Sequence, residues 1–292
     1  MTFSPSLPES TSKASWKGRP PGIPSSVPPP ALPLTFLGTS LLGLIACGTA
    51  WILAAKAAVG DPTADSVVAS VHLGMLATLS MGVMGALHQF IPVVTQRGLR
   101  STRLAWSTFA TWVLAAWLIP IGIASEKELI VEVGGFFAGI AVVLFVVNVS
   151  KALLAKGKGP PVAGMRLAVL GFVITACFGV LYVSDRKESW FVLSGHVVLA
   201  HALIGLFGWL GLTYISVSEK LWPMFMLAKV PGKKRISWVA IVAVPIGVLS
   251  MSIALLIQVV PFFLFGIVLT EIGLIGHVSS LSTWTFEKVT PL

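Results

Sequence analysis

The sequence predicts an all-α, polytopic membrane helix bundle of about eight transmembrane helices, and three observations lead to this fold class. Of the 292 residues, 55% are hydrophobic and only 11% are charged, and the mean hydropathy is +0.92. Soluble globular domains carry about 25% charged residues. The apolar residues form stretches of about 20 residues, the length that an α-helix needs to cross a bilayer. The charged residues gather in the short segments between these stretches. The chain therefore folds with lipid as its solvent.

The segment before the first apolar stretch is rich in Pro and Ser, with PPGIPSSVPPP over 20–30. It contains no apolar run that a core would need. We expect a disordered, cytoplasmic tail over 1–32, followed by a helical bundle over 33–292.

The rest of the chain divides into eight apolar segments, each long enough to span a bilayer. The last two are separated only near residues 258–261. The predicted spans are 33–56, 66–94, 104–124, 129–150, 163–183, 190–217, 236–258 and 260–284.

The loops predict the orientation, because cytoplasmic loops carry an excess of Lys and Arg. Basic loops follow the second, fourth and sixth helices, at 95–103, 151–159 and 220–235. The intervening loops are acidic or balanced. Both termini are then cytoplasmic, in the cytoplasmic membrane of a prokaryote. The formal charge of +9 reflects this topology, so we expect no nucleic-acid partner.

The two cysteines, Cys47 and Cys177, both fall inside apolar segments, and the chain has no CxxC or CxxCH motif. Zinc sites and covalent heme attachment need such spacings. We therefore interpret both as small core residues.

All five histidines lie in predicted spans. Polar groups in hydrocarbon are costly and are functional candidates. Each histidine could instead bond a neighbouring helix, as polar residues in membrane bundles often do. Imidazole is also the usual axial ligand of heme iron, and a bundle core offers a dry slot for a porphyrin. These residues are His72, His88, His196, His201 and His277.

Depth along the helices limits which histidines can share one heme. At 1.5 Å per residue, His72 and His196 each lie about 10 Å below the predicted outer start of their helices. His201 lies about 7 Å deeper than His196 and about 140° around the same helix. One heme can therefore use His196 or His201, but not both.

A second ligand pair on the inner side is the other arrangement. His88 lies about 24 Å deeper than His72, near the opposite side of that helix if the helix is regular. His277 on the last helix reaches a comparable depth. Glu271 lies above His277, well inside a span, where it is a candidate for proton handling, for pairing with a histidine or for a structural hydrogen bond.

Two helices resemble subunit I of the heme-copper oxidases and nitric oxide reductases. The run HALIGLFGWLG from His201, followed by YISVSEKLWPMF, is similar to the tenth helix of that family, where a His-x-His pair precedes Gly-Trp and a Pro ends the helix. Gly208 and Trp209 align, but Leu203 replaces the second histidine. The run from 71 to 94 is similar to the second helix, and His72 matches its low-spin heme ligand.

The resemblance implies a heme b core in which His72 pairs with His201 or His196 and Trp209 lies beside the cofactor. The alternative that this prediction leaves open is a second heme. The third, fourth, fifth and seventh predicted helices contain no histidine, so the family's copper ligands have no equivalent and no copper is expected. Eight spans are also fewer than the family's twelve.

We therefore expect a b-type heme protein that transfers electrons or binds a diatomic gas (NO or O2), as a redox subunit of a respiratory complex without a copper centre. The expected partners are the lipid bilayer, other membrane or cytochrome subunits, and a quinol. The competing prediction is a cofactor-free membrane subunit or a proton-coupled small-solute transporter. Prolines inside four spans are compatible with the broken helices of transporters; they are Pro92, Pro120, Pro223 and Pro245.

Overall fold

The computed structural model describes residues 28–154, 159–188, 195–227 and 235–286. These residues contain no strand, and they form eight helices long and apolar enough to cross a membrane. The predicted eight-span, multi-pass fold is confirmed. The predicted tail over 1–32 lies almost entirely outside the described residues. The helices are α1 (Ala31–Gly60), α2 (Asp65–Thr95), α3 (Thr102–Ala124), α4 (Glu128–Leu153), α5 (Pro160–Glu188), α6 (His196–Phe225), α7 (Arg235–Ile257) and α8 (Val260–Phe286).

Short connections hold consecutive helices side by side. The α7–α8 connection is only residues 258–259, and Gln258 adopts the left-handed region with φ 57° to make the turn. At the start of α3, the Ser101 hydroxyl accepts the backbone N–H groups of Arg103 and Leu104 at 3.1 and 3.4 Å. Such a cap satisfies donors that the first helical turn leaves unpaired.

The bundle consists of two halves with the same plan, α1–α4 and α5–α8. In each half the first helix packs along the second, and the third packs along the fourth. Both α2 and α6 contain an eight-residue π-helical segment, Leu73–Ser80 and Ile204–Gly211. Each segment ends twelve residues before a proline, Pro92 or Pro223. The second and sixth helices thus share their backbone winding as well as their sequence layout.

The helix contacts repeat in the two halves as well. Gly43 of α1 packs against the backbone of Ala77, the fifth residue of the first π segment. Gly171 of α5 packs against the backbone of Gly208, the fifth residue of the second, where a Cβ on Gly171 would lie 2.6 Å from the Gly208 carbonyl oxygen. Small residues let the backbones of membrane helices approach this closely.

Aromatic side chains fill the centre where the two halves meet. The Trp209 ring of α6 stacks on Phe172 of α5 with a centroid distance of 4.3 Å. Phe145 of α4 meets Trp209 edge-on at 6.1 Å. Trp112 of α3 donates its indole N–H to the carbonyl oxygen of Leu76 in the first π segment, at 3.2 Å. The core therefore separates the half of the bundle that carries His72 and His201 from the half next to the basic loops.

Candidate functional site

His72 is the residue directly before the π segment of α2. Its Nδ1 donates to the carbonyl oxygen of Val68 at 2.8 Å, since a carbonyl can only accept. The lone pair of neutral His72 is then on Nε2. Metal-ligating histidines usually donate their other ring N–H in this way, which fixes the tautomer and the ring orientation. His72 therefore has the form that an axial ligand requires.

His201 lies three residues before the π segment of α6 and faces α5. Its Cε1 would lie 3.3 Å from a Cβ on Gly179, so the missing side chain there leaves room for the ring. The backbone of Thr175 lies near the ring, but Nδ1 is buried with no hydrogen bond of acceptable geometry in the described part of the chain. His201 lies eight residues before Trp209, and His72 lies eight residues before Ser80, the residue that accepts the Trp209 indole N–H. The fold thus places these two histidines at the same level on neighbouring helices.

His196 lies at the outer end of α6 and is exposed. It lines a shallow pocket with residues of the α7–α8 turn, among them Gln258 and Val259. Trp209, the other α6 residue that the resemblance singles out, is buried and donates its indole N–H to Ser80 of α2 at 3.0 Å. Trp209 therefore lies in the core between α2 and α6, whereas His196 lies at the exposed end of α6.

His88 is fully buried on the other side of the aromatic core. Its Nδ1 donates to the Met84 carbonyl oxygen at 2.7 Å, and its ring packs 5.3 Å from Phe36 and 5.2 Å from Phe145. Its Nε2 has no hydrogen-bond partner among the described residues. Sixteen regular α-helical residues would turn His88 about 160° away from His72. The eight-residue π segment between them is wound more widely than an α-helix, so the angle between the two side chains is smaller than this value.

The site residue that the sequence analysis missed is Glu219 of α6, which is buried beside His277 of α8. Glu219 Oε1 lies 3.1 Å from His277 Nδ1. The other oxygen, Oε2, accepts from the hydroxyls of Ser237 at 2.7 Å and Ser280 at 3.0 Å. His277 Nε2 lies 3.2 Å from the Ser218 hydroxyl. Three helices therefore enclose one carboxylate and one imidazole.

This arrangement separates the members of the predicted inner site. His277 contacts Glu219, while His88 packs on α1 and α4, so the structure does not bring those two histidines together. Glu271 is exposed on the lipid-facing side of α8 and not inside the bundle. One feature of the sequence could have identified Glu219. It lies four residues before Pro223, as His88 lies four residues before Pro92.

The described residues contain no group of three or more His, Cys, Asp or Glu side chains that could hold a metal ion. A metal bound by protein side chains alone needs about four such ligands. Heme needs only one or two from the protein, because the porphyrin supplies the other four. Two histidines such as His72 and His201 are therefore enough to hold a heme, whereas a metal ion without a porphyrin would need further ligands.

Sequence comparisons add no relative to this geometry: the chain matches no protein-family model and no curated protein sequence.

Proposed function

We propose that this protein binds one b-type heme in the outer half of the bundle, with His72 and His201 as the axial ligands. The observation that carries the proposal is that these residues lie at the same level of α2 and α6, each eight residues before one partner of the bond between Trp209 and Ser80. His72 presents Nε2 because Nδ1 is bonded to Val68. His201 turns Nδ1 toward Gly179 and the Thr175 backbone of α5, so Nε2 is the nitrogen that it would offer to the ligand. The residues present fit the group.

The protein's own part in the function is to hold and shield the cofactor. A heme bound there would supply a one-electron redox centre, with an open axial position if one histidine is absent from the iron. Val68 fixes the His72 ring, and Gly179 gives the His201 ring its space. The stacked pair of Trp209 and Phe172 excludes water from below. Bis-imidazole ligation and apolar surroundings are the features that set a heme potential.

The cellular setting belongs to the same proposal. We propose that the protein lies in the cytoplasmic membrane of a prokaryote with both termini in the cytoplasm, because the loops after α2, α4 and α6 are basic, and that the heme lies near the outer face. The protein then acts as a redox subunit related to the heme-copper oxidases, without copper. It exchanges electrons with a quinol or a cytochrome subunit, or binds NO or O2.

The test is the reduced-minus-oxidised visible spectrum of the full chain, expressed with ample heme and purified in detergent. We expect a b-type α band, which His72→Ala and His201→Ala each abolish or convert to a high-spin form. His196→Ala is the matched control on the same helix, since that residue lies at the exposed end of α6. It should keep the wild-type band.

Loss of the band in His196→Ala, with retention in His201→Ala, would show that the ligand pair is His72 and His196. A flat wild-type spectrum would remove heme altogether. It would leave the competing function, a cofactor-free subunit or proton-coupled transporter, which is favoured by the buried pair of Glu219 and His277.

A further inference from the structure

The hydrogen bonds around His277 determine where its ring carries protons. The Ser218 hydroxyl has one proton, and its shortest contact is 2.7 Å to the Tyr214 carbonyl oxygen. With its proton placed there, Ser218 can only accept from His277, so Nε2 carries a proton. In a neutral ring Nδ1 would then hold a lone pair. That lone pair would face a lone pair of Glu219 Oε1 across 3.1 Å, unless a further proton lies between them.

The hydrogen bonds of Glu219 Oε2 decide whether that proton is held by Glu219 or by His277. Ser237 and Ser280 each have one hydroxyl proton, and both hydroxyls lie within 3.0 Å of Glu219 Oε2. Two donors converging on one oxygen favour the ionised carboxylate. The proton is then on Nδ1 of His277, which makes the ring an imidazolium and the pair an ion pair. If the proton moves from Nδ1 to Oε1, both side chains become neutral, and the net charge of the pair does not change.

We propose that Glu219 and His277 form a proton-binding site that holds one proton between Oε1 and Nδ1. Side-chain exposures of 2% for Glu219 and 5% for His277 leave no room for water to replace either partner. Loss of the proton would leave an unpaired buried carboxylate, which is the costly state. The site is independent of the heme proposal, because the pair has no contact with His72 or His201 in the described structure.

The site lies toward the end of the bundle that carries the basic loops. Glu219 is about 9 Å from the end of α6, and Ser237 is about 3 Å from the start of α7. A proton bound here is therefore within one or two helical turns of the helix ends. The Ser237 hydroxyl lines the site on α7, and the Ser280 hydroxyl lines it on α8.

Few other titratable groups face the pair. From α6, the Tyr214 ring meets the His277 ring edge-on at 5.8 Å. Lys220 follows Glu219 and Arg235 precedes Ser237 by two residues, and both are exposed. No other titratable side chain from α7 or α8 contacts the pair in the part of the chain that the structure describes. The bound proton therefore belongs to Glu219 and His277 alone.

The experiment is a ¹⁵N NMR spectrum of the full chain, labelled at histidine, in the reduced state and near pH 7.5. His277→Gln assigns the signals by subtraction. We expect both ring nitrogens of His277 to carry protons in the wild-type protein. In Glu219→Gln we expect a neutral His277 ring with a single N–H. Glu271→Gln, which removes the lipid-facing carboxylate of α8, is the matched control and should leave the His277 signals unchanged.

Infrared spectroscopy of the same samples detects the proton if it is bound to Glu219 Oε1 rather than to His277 Nδ1. A protonated-carboxyl band that disappears in Glu219→Gln but not in Glu271→Gln also supports the proposal, because the pair still holds one proton. A neutral His277 ring together with an ionised Glu219 in the wild-type protein overturns it. The wild-type spectra decide the question even if Glu219→Gln fails to fold. A flat heme spectrum would not change either result.

Discussion

The indole N–H of Trp209 donates to the Ser80 hydroxyl at 3.0 Å in the buried centre of the bundle. Ser80 ends the π segment of α2, and Trp209 lies within the π segment of α6. This bond directly joins the two helices that carry His72 and His201. The relative position of those histidines therefore depends on a contact below them.

A double-mutant cycle measures this contact. We expect Trp209→Phe and Ser80→Ala to be coupled by about 0.6 kcal/mol and by no more than about 1.7 kcal/mol, the range for side-chain hydrogen bonds between membrane helices. The measurement is the free energy of unfolding in mixed micelles. Trp106→Phe, at a half-exposed tryptophan of α3, is the control and should show no coupling to Ser80→Ala. Strictly additive effects of Trp209→Phe and Ser80→Ala would mean that the bond contributes nothing.

Two glycine-to-alanine changes should have opposite signs. A Cβ on Gly171 would lie 2.6 Å from the Gly208 carbonyl oxygen, so Gly171→Ala must push α5 from α6 and should cost about 1–3 kcal/mol. A Cβ on Gly139 of α4 meets no atom within 4 Å. Gly139→Ala should therefore leave stability unchanged or raise it by up to about 1 kcal/mol. Thermal unfolding of both variants in detergent tests this, and equal shifts would contradict the close crossing.

Replacement of His88 tests whether a second heme exists. Because Phe36 and Phe145 pack on the His88 ring and its predicted partner His277 contacts Glu219 instead, His88→Leu should leave the heme-to-protein ratio of the wild-type protein unchanged. Stability should change by less than about 1 kcal/mol, since the unpaired nitrogen and the Met84 bond are lost together. The pyridine hemochrome assay measures the ratio. A fall from two hemes to one would make His88 a ligand after all.

The proposed orientation is open to chemical labelling. Arg97 and Lys127 are exposed cations in the connections at opposite ends of α3. In a background of Cys47→Ala and Cys177→Ala, we expect Lys127→Cys to react with a membrane-impermeant maleimide in intact cells. Arg97→Cys should react only after the membrane is permeabilised. The reverse pattern would invert the topology and move the histidine pair to the cytoplasmic side.

The eight spans were predictable because transmembrane helices must be long and apolar, and both properties are visible in the sequence. The π segments were not, since LGMLATLS and IGLFGWLG have the composition of ordinary apolar helix. Their winding follows from tertiary contacts such as the bond from Trp112 to the Leu76 carbonyl. The angle between His72 and His88 could therefore not be derived from α-helical geometry alone.

The acidic residues show a second limit of sequence reasoning. The sixth span was predicted to end at 217, where the apolar run stops, but the helix continues to Phe225 and carries Glu219 into the core. Glu271 was predicted to lie well inside a span because apolar residues flank it in the sequence. A helix that is apolar around its whole circumference does not indicate which face meets lipid. Partners on α7 and α8, such as Ser237 and Ser280, become visible only after folding.

The crossing of α5 and α6 at Gly171 and Gly208 has a mechanical consequence for anything that His201 holds. In the direction of His201, side chains fill the space between the helices, with Thr175 against Gly205 and then His201 against Gly179. The glycine contact is the closest of these three approaches, so a larger residue at Gly171 would push α5 away from α6 at that point. Such a change would alter the angle between the two helices, and with it the orientation of the His201 ring, from a position that does not touch the ring.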